Sequence, residues 1–338
     1  MSTKPFVLYD LPGNFTSDQA WSPNVWKIRY ILNLKRLPYT TEWVEFPDIA
    51  SVAQRIGAPP TAHRRDGTPL YTLPILHDPA SNQHLSNSTD IARFLDRRFP
   101  DPASAPAPAL FPAGTDALLA AFQRAWVDGP VKALVPLMLL RVHDGLPPRS
   151  AAFFRATREA MFKARLEAVA PAAAQAALWA NARAALGVFD AYLRENGHSE
   201  DAGPFVMGHA RSYADVQIAG WLVWVKRVWG PASAEWRALA GWHGGRWGRL
   251  MAEFDGLEYT ERDAPPPAAK YASASFRSSG RRDSRPGVVD CDRRFVRCRL
   301  TPPPSVCKYI HVCGACLPKS IAPSHRRWAT EGRAHEPA

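Results

Sequence analysis

Between Pro100 and Pro112 the chain carries five prolines interspersed with alanine. Proline lacks a backbone donor and clashes with the turn before it, so no helix or central strand runs through this stretch. It is a linker, assigned to residues 101–113, and it separates two regions of different periodicity. Apolar runs of strand length alternate with helical spacing before it. After it the spacing is helical throughout.

The first region, residues 1–100, reads as a compact α/β domain. Phe6–Leu11 has the pattern of a buried strand. Ser22 and Pro23 form a helix start, because the serine hydroxyl takes an orphan N–H and proline has none to lose. Val25, Ile28, Tyr30, Ile31, Leu32 and Leu34 predict a mostly buried helix with Lys27, Lys35 and Arg36 as its wet side. Thr41–Phe46 alternates as a strand. Asp48 is expected to cap a short helix through Ile56, closed by Gly57. Thr68–Asp78 is apolar and β-rich, yet Pro74 in its middle cannot donate to a ladder. Either this is an edge strand, or the chain turns at a cis Leu73–Pro74 bond. A short strand at His84–Ser86 and a helix from Ser88 to Phe99 complete the order βαβ then ββα.

Residues 114–258 predict an all-helical domain. Pro130 and Pro136 are expected to break or kink the helix from Thr115 to Val142. A long alanine-rich pattern from Ser150 to Arg194 is interrupted near Pro171. Ser212-Tyr213-Ala214-Asp215 is a capping box opening a helix through Val228. Shorter helical pieces surround Trp236 and Trp247.

Charge and cysteine are concentrated beyond this second region. The 338 residues hold 42 Lys+Arg against 31 Asp+Glu, a net of +11. Residues 261–338 contribute 15 and 7 of these, a net of +8, and all five cysteines lie there. With 11 Leu, Ile, Val or Phe among 78 residues, that segment has too little apolar surface to offset the entropy of ordering it. Residues 259–338 are therefore expected to be a disordered basic tail. Its one CxxC, Cys313 to Cys316, has no second pair, so no metal site is expected. Its arginine pairs are dispersed with few aromatics between them, which argues against a nucleic-acid partner. The cysteine-free body excludes disulfides and thiolate nucleophiles. No apolar run reaches the ~20 residues of a membrane span, and no secretory signal opens the chain, so a cytoplasmic location is expected.

The order of these features resembles the glutathione S-transferase superfamily over roughly residues 4–258. Tyr71-Thr72-Leu73-Pro74-Ile75 is similar to that family's strand with a cis-proline. Asn87-Ser88 is similar to the acid-or-amide plus serine pair that opens the next helix. The box Ser212–Asp215 lies where the family's helical domain has one. Ser22-Pro23-Asn24-Val25-Trp26-Lys27 and Trp43–Ile49 look most like the fungal Ure2p-like A and bacterial β-etherase group. The resemblance implies a thioredoxin-like N-terminal domain, an all-α C-terminal domain and a homodimer.

It also implies glutathione as co-substrate, with no further cofactor. Leu73, beside Pro74, would pair with the cysteinyl backbone of the tripeptide. Asn87 would accept from the γ-glutamyl ammonium, and Ser88 would hold the adjoining carboxylate at a helix N-terminus. Ser22 would donate to the thiol sulfur and favour the thiolate, with Asn24 as a second donor and Tyr9 and Ser17 as rival hydroxyls. Ser22 equally suits a purely capping role. The second substrate would be a small hydrophobic electrophile held against the helical domain. Six tryptophans between Trp221 and Trp247 suit such a pocket, though their spacing is also that of a packed core. The rival to a transferase is a noncatalytic glutathione- or hydrophobic-ligand-binding protein, or a dimerising interaction protein, of the same fold.

Overall fold

The computed structural model describes residues 4–100, 109–197 and 203–261. Strand β1 (Phe6–Asp10) occupies the interior of a four-stranded sheet of order β2-β1-β5-β6. It pairs in parallel with β2 (Tyr39–Trp43) and antiparallel with β5 (Ile75–Asp78), which pairs with β6 (Gln83–Ser86). Parallel strands need a crossover, supplied by helix α1 (Pro23–Leu34). Strands β3 (Ala62–His63) and β4 (Pro69–Leu70) form a separate hairpin. Thr68–Asp78 is therefore not one strand: the Leu73–Pro74 peptide is cis and sits in a bend between β4 and β5.

Strand β2 ends at Trp43, earlier than the sequence pattern suggests, because Phe46–Asp48 turns as a 3₁₀ helix into α2 (Ile49–Arg55). Asp48 does not cap that helix. Its carboxylate instead takes two hydrogen bonds from Arg149, at 3.0 and 2.9 Å. Helix α3 (Ser88–Arg98) closes the α/β unit beside α1.

In the helical domain α4 (Asp116–Trp126) and α5 (Lys132–Asp144) join through a π turn, Val127–Val131, that contains Pro130. The widened turn accommodates the missing donor, so the expected break is a bulge instead. Pro136 lies inside α5 without interrupting it. Helix α6 (Pro148–Phe162) ends at Lys163 in the left-handed conformation, and α7 (Leu166–Val169) and α8 (Gln175–Arg194) follow. Helix α9 (Tyr213–Trp229) is buried along nearly its whole length. Helix α10 (Ala234–Ala252) has non-helical backbone from Trp242 to Gly245, which separates the segments around Trp236 and Trp247. Trp221, Trp224, Trp236 and Trp247 are all core residues.

Helix α9 packs across α1, and this contact unites the two domains. At the crossing a methyl on Gly220 would stand 2.8 Å from the Pro23 carbonyl oxygen and from Lys27 Cγ. Helix α1 is thus covered on the side a two-layer domain would leave wet. Lys27 and Lys35 are 3% and 2% exposed, correcting the expectation of a solvated face, and only Arg36 of the three reaches solvent. Lys35 pairs with Asp96 at 3.0 Å.

The body also extends past the expected tail boundary at residue 259. Asn33 donates to the Leu257 and Tyr259 carbonyls, at 2.7 and 2.9 Å. Glu261 accepts from the Thr41 N–H at 2.9 Å and from Arg29 at 3.2 Å. Tyr259–Glu261 therefore belongs to the folded unit, and the rest of the expected tail lies outside the described residues. Among the described residues no helix is long and apolar enough to cross a membrane.

Candidate active site

The N-terminus of α1 is set by the loop from Leu11 to Trp21. Arg227, on α9, reaches into this loop. Its Nη1 donates to both Asp18 carboxylate oxygens at 2.7 and 2.8 Å and to the Ala20 carbonyl at 3.0 Å, with its guanidinium 4.2 Å from the Trp26 ring centre. Burial alone would raise the Asp18 pKa, but Arg227 and the Thr16 hydroxyl outweigh it and hold the carboxyl below its ordinary value. Helical domain and loop are thereby locked together one residue before Trp21.

Ser22 follows. It is fully buried and occupies the N-cap position, yet its side chain accepts no helix N–H. Its Oγ has no hydrogen-bond partner among the described residues. A buried hydroxyl left unpaired costs ~1–3 kcal/mol, so this one does not earn its place as a cap.

Asn24 sits at the join of two hollows. One is a cleft of about 300 Å³ between the domains. Asn24 and Lys27 line it from α1, Asn87, Ser88, Asp90 and Arg93 from the start of α3, and Gln123 and Tyr213 from α4 and α9. The other is an apolar hollow of about 20 Å³, lined by Trp21, Pro23, Asn24, Leu139, Phe154 and Trp224 among others. Asn24 Oδ1 accepts from the Lys27 ammonium at 2.9 Å, which leaves its amide N–H groups to donate.

At the far side of the cleft Asn87 adopts φ 74°, a left-handed conformation that asparagine tolerates better than most residues. Its Oδ1 caps α3 by accepting the Thr89 N–H at 2.9 Å. The acceptor expected to meet an ammonium is thus already engaged, and the acidic group on this side is Asp90, three residues on. Burial raises the Asp90 pKa while Arg93 opposes it. Tyr213 holds Ser88 and Thr89 through its hydroxyl, which burial pushes up to about 12 and keeps protonated near neutrality.

The predicted residues separate accordingly. Asn24, Asn87 and Ser88 share the cleft, whereas Ser22, Leu73 and Pro74 do not line it. Leu73 and Pro74 are buried in the bend before β5. Tyr9 lies in β1 and Ser17 is exposed in the loop; neither lines the cleft. Ser212 and Asp215 brace the helical domain: the Ser212 N–H and hydroxyl donate to Asp215 Oδ2 at 2.7 and 2.8 Å, and Asp215 Oδ1 takes the Val206 N–H at 2.7 Å.

The N-terminal domain family of glutathione S-transferases matches residues 21–98, and their C-terminal domain family matches residues 117–257. The glutathione S-transferase-like protein ustS of Aspergillus flavus is 32% identical over 254 residues, covering 70% of this chain and 87% of that protein. The chain belongs to the glutathione S-transferase superfamily. A glutathione S-transferase of Ceriporiopsis subvermispora, solved in complex with glutathione, is 45% identical with a TM-score of 0.71, covering 76% of this chain and 99% of that one. Glutathione transferase GSTFuA2 of Phanerochaete chrysosporium is 44% identical with a TM-score of 0.69, covering 76% and 99%. The mixed sheet is thus the thioredoxin-like half of this superfamily's fold, and the helices are its second half.

Among the residues of this cleft that escape sequence reasoning are Lys27, Asp90, Gln123 and Tyr213. Two had a signal. Lys27 is three residues after Asn24 on a helix, hence on the same face, and Asp90 stands likewise to Asn87. Gln123 and Tyr213 come from the other domain and are joined to the cleft only by tertiary packing.

Proposed function

We propose that this protein is a glutathione transferase that ionises the glutathione thiol at the N-terminus of α1 and directs it at small hydrophobic or aromatic electrophiles. One observation carries the reading: a polar interdomain cleft and an apolar hollow meet at Asn24, next to a buried serine whose hydroxyl has no partner among the described residues. In this reading glutathione lies in the cleft with its γ-glutamyl end toward Ser88 and Asp90. The pairing of its cysteinyl backbone with Leu73, outside the cleft lining, is what the family resemblance implies. The hollow is small and apolar, as suits one edge of a flat electrophile. The Asn24 amide, which lines both hollows, and Ser22 Oγ, buried beside it outside their lining, are the two candidate donors for the sulfur. The thiol proton leaves to water and the positive end of α1 favours the thiolate. The sulfur forms a C–S bond as a halide or aryl ether leaving group departs with the bonding pair, or as an isothiocyanate C=N pair moves to nitrogen and is protonated. With a peroxide it instead breaks the O–O bond, and the resulting sulfenic acid forms a disulfide with a second glutathione, releasing water. The cytosol, where glutathione is reduced, is the proposed location, and the family implies a homodimer.

The full-length chain, incubated with glutathione and aryl halides, isothiocyanates, peroxides and β-aryl ethers, tests this. Turnover with at least one class is expected. Tight glutathione binding without turnover on any of them favours a noncatalytic binding protein, and no retention of glutathione defeats both readings.

A further inference from the structure

Lys27 is a cation without a counter-charge. Its ammonium lines the cleft, yet the residue is only 3% exposed. Its hydrogen bond goes to the neutral Asn24 Oδ1, and its Nζ stands 5.5 Å from the centre of the Trp221 ring. No carboxylate lies within ion-pair distance of it among the described residues. The stem is fixed because Gly220 of α9 lets Lys27 Cγ lie against the helix backbone.

The other charged groups of the cleft are differently placed. Arg93, on α3, is paired with Asp116 and covers the Phe111 ring at 4.6 Å. Asp90, also on α3, faces the cleft with Arg93 as its only resolved charged neighbour. Tyr213 on α9 is neutral, and α4 contributes Gln123, which is uncharged. The α1 side of the cleft thus carries an unpaired cation, while the start of α3 on the other side offers the Asp90 carboxylate to a ligand ammonium. That is the arrangement an α-amino acid end requires.

We propose that Lys27 is a carboxylate-binding residue of the cleft, engaging a carboxylate of the peptide ligand and taking up a proton as it does so. The proposal rests on the reading of the cleft as a glutathione site. Burial alone brings the Lys27 pKa down to about 7, so near neutrality a sizeable fraction of the empty protein has a neutral amine. An incoming carboxylate restores the charged form, and binding therefore draws a proton from the buffer. Retaining such a group inside the fold costs stability, which is expected at a binding site and not at a packing position.

Isothermal titration of full-length wild type, Lys27→Met and Lys27→Arg with glutathione and S-methylglutathione tests this, in two buffers of different ionisation enthalpy at pH 7.5. With S-methylglutathione, which has no thiol to ionise, wild type is expected to take up a fraction of a proton; with glutathione the proton released by the thiol offsets that uptake. Lys27→Met should bind roughly tenfold or more weakly with that uptake abolished, and Lys27→Arg should recover affinity without uptake. S-methylglutathione should show the same penalty with Lys27→Met. Loss of the penalty with S-methylglutathione would place Lys27 on the thiolate and overturn the carboxylate assignment. Wild-type affinity and proton uptake in Lys27→Met would overturn the proposal while leaving the glutathione reading intact. Absence of glutathione binding by the wild type would overturn both.

Discussion

In the proposed reaction three side chains carry the chemistry, and each has a separable consequence. Ser22 and Asn24 compete for the role of thiol donor. If the hydroxyl is the donor, Ser22→Ala lowers kcat by roughly 10²-fold with glutathione affinity nearly unchanged, whereas Asn24→Ala does so if the amide is. Steady-state kinetics with a saturating electrophile separates the two. Ser22→Ala should not destabilise the protein, because it removes a buried hydroxyl that bonds nothing; a clear drop in melting temperature would restore the capping role. Lys27 works in the opposite direction. Its folded pKa of about 7 lies below the ordinary lysine value of 10.5, so between these limits the unfolded chain binds more protons than the fold. The cost of Lys27 to stability is therefore full below pH 7 and relieved as pH rises toward 10.5. In the ligand-free protein Lys27→Met should raise the melting temperature at pH 6.5 and lose that advantage by pH 10.5, as read by thermal unfolding at the two pH values.

Among the elements, α1 and α9 decide whether a site exists. Helix α1 supplies Ser22, Asn24 and Lys27, and α9 supplies Tyr213 and Trp221, so any change in their spacing moves both walls of the cleft. Gly220 sets that spacing. A methyl there meets backbone oxygen as well as a side chain, and only the side chain is free to give way. Gly220→Ala should cost about 2 kcal/mol and weaken glutathione binding together with turnover, measured by denaturant unfolding and by titration. The elements were largely legible in the sequence: Pro23 marked the start of α1, Ser88 that of α3, and Pro231 the end of α9. What escaped was what covers each element. The spacing of Lys27 and Lys35 reads as a solvated stripe in a two-layer domain, but α9 covers Lys27 and the end of α3 takes Lys35, through Asp96 and the Phe99 carbonyl. Lys163 ends α6 in a left-handed turn with neither glycine nor proline to announce it. Within the site, the types and positions of Asn24, Asn87 and Ser88 were readable, but the engagement of Asn87 Oδ1 by its own helix was not.

At the level of the whole molecule, the packing of α9 across α1 unites the two domains, and charged contacts reinforce it. Arg227 is the chief of them, since it joins α9 to the loop that delivers Ser22. Removing one partner of such a buried pair leaves the other unpaired, so Arg227→Met should cost about 3 kcal/mol and reduce activity beyond its effect on stability. Asp18 sets the pH signature of this contact. Its folded pKa is depressed, so its stabilisation is present above the unfolded value of 3.8 and disappears as pH falls through the folded one. The central claim is that the interdomain cleft binds glutathione and ionises its thiol. The most direct measurement is a pH titration of the ultraviolet thiolate band of glutathione bound to the full-length protein. The account predicts that the bound thiol ionises at a pH well below that of free glutathione, and that the shift is lost in Ser22→Ala or Asn24→Ala. A bound thiol that titrates like the free tripeptide would contradict it.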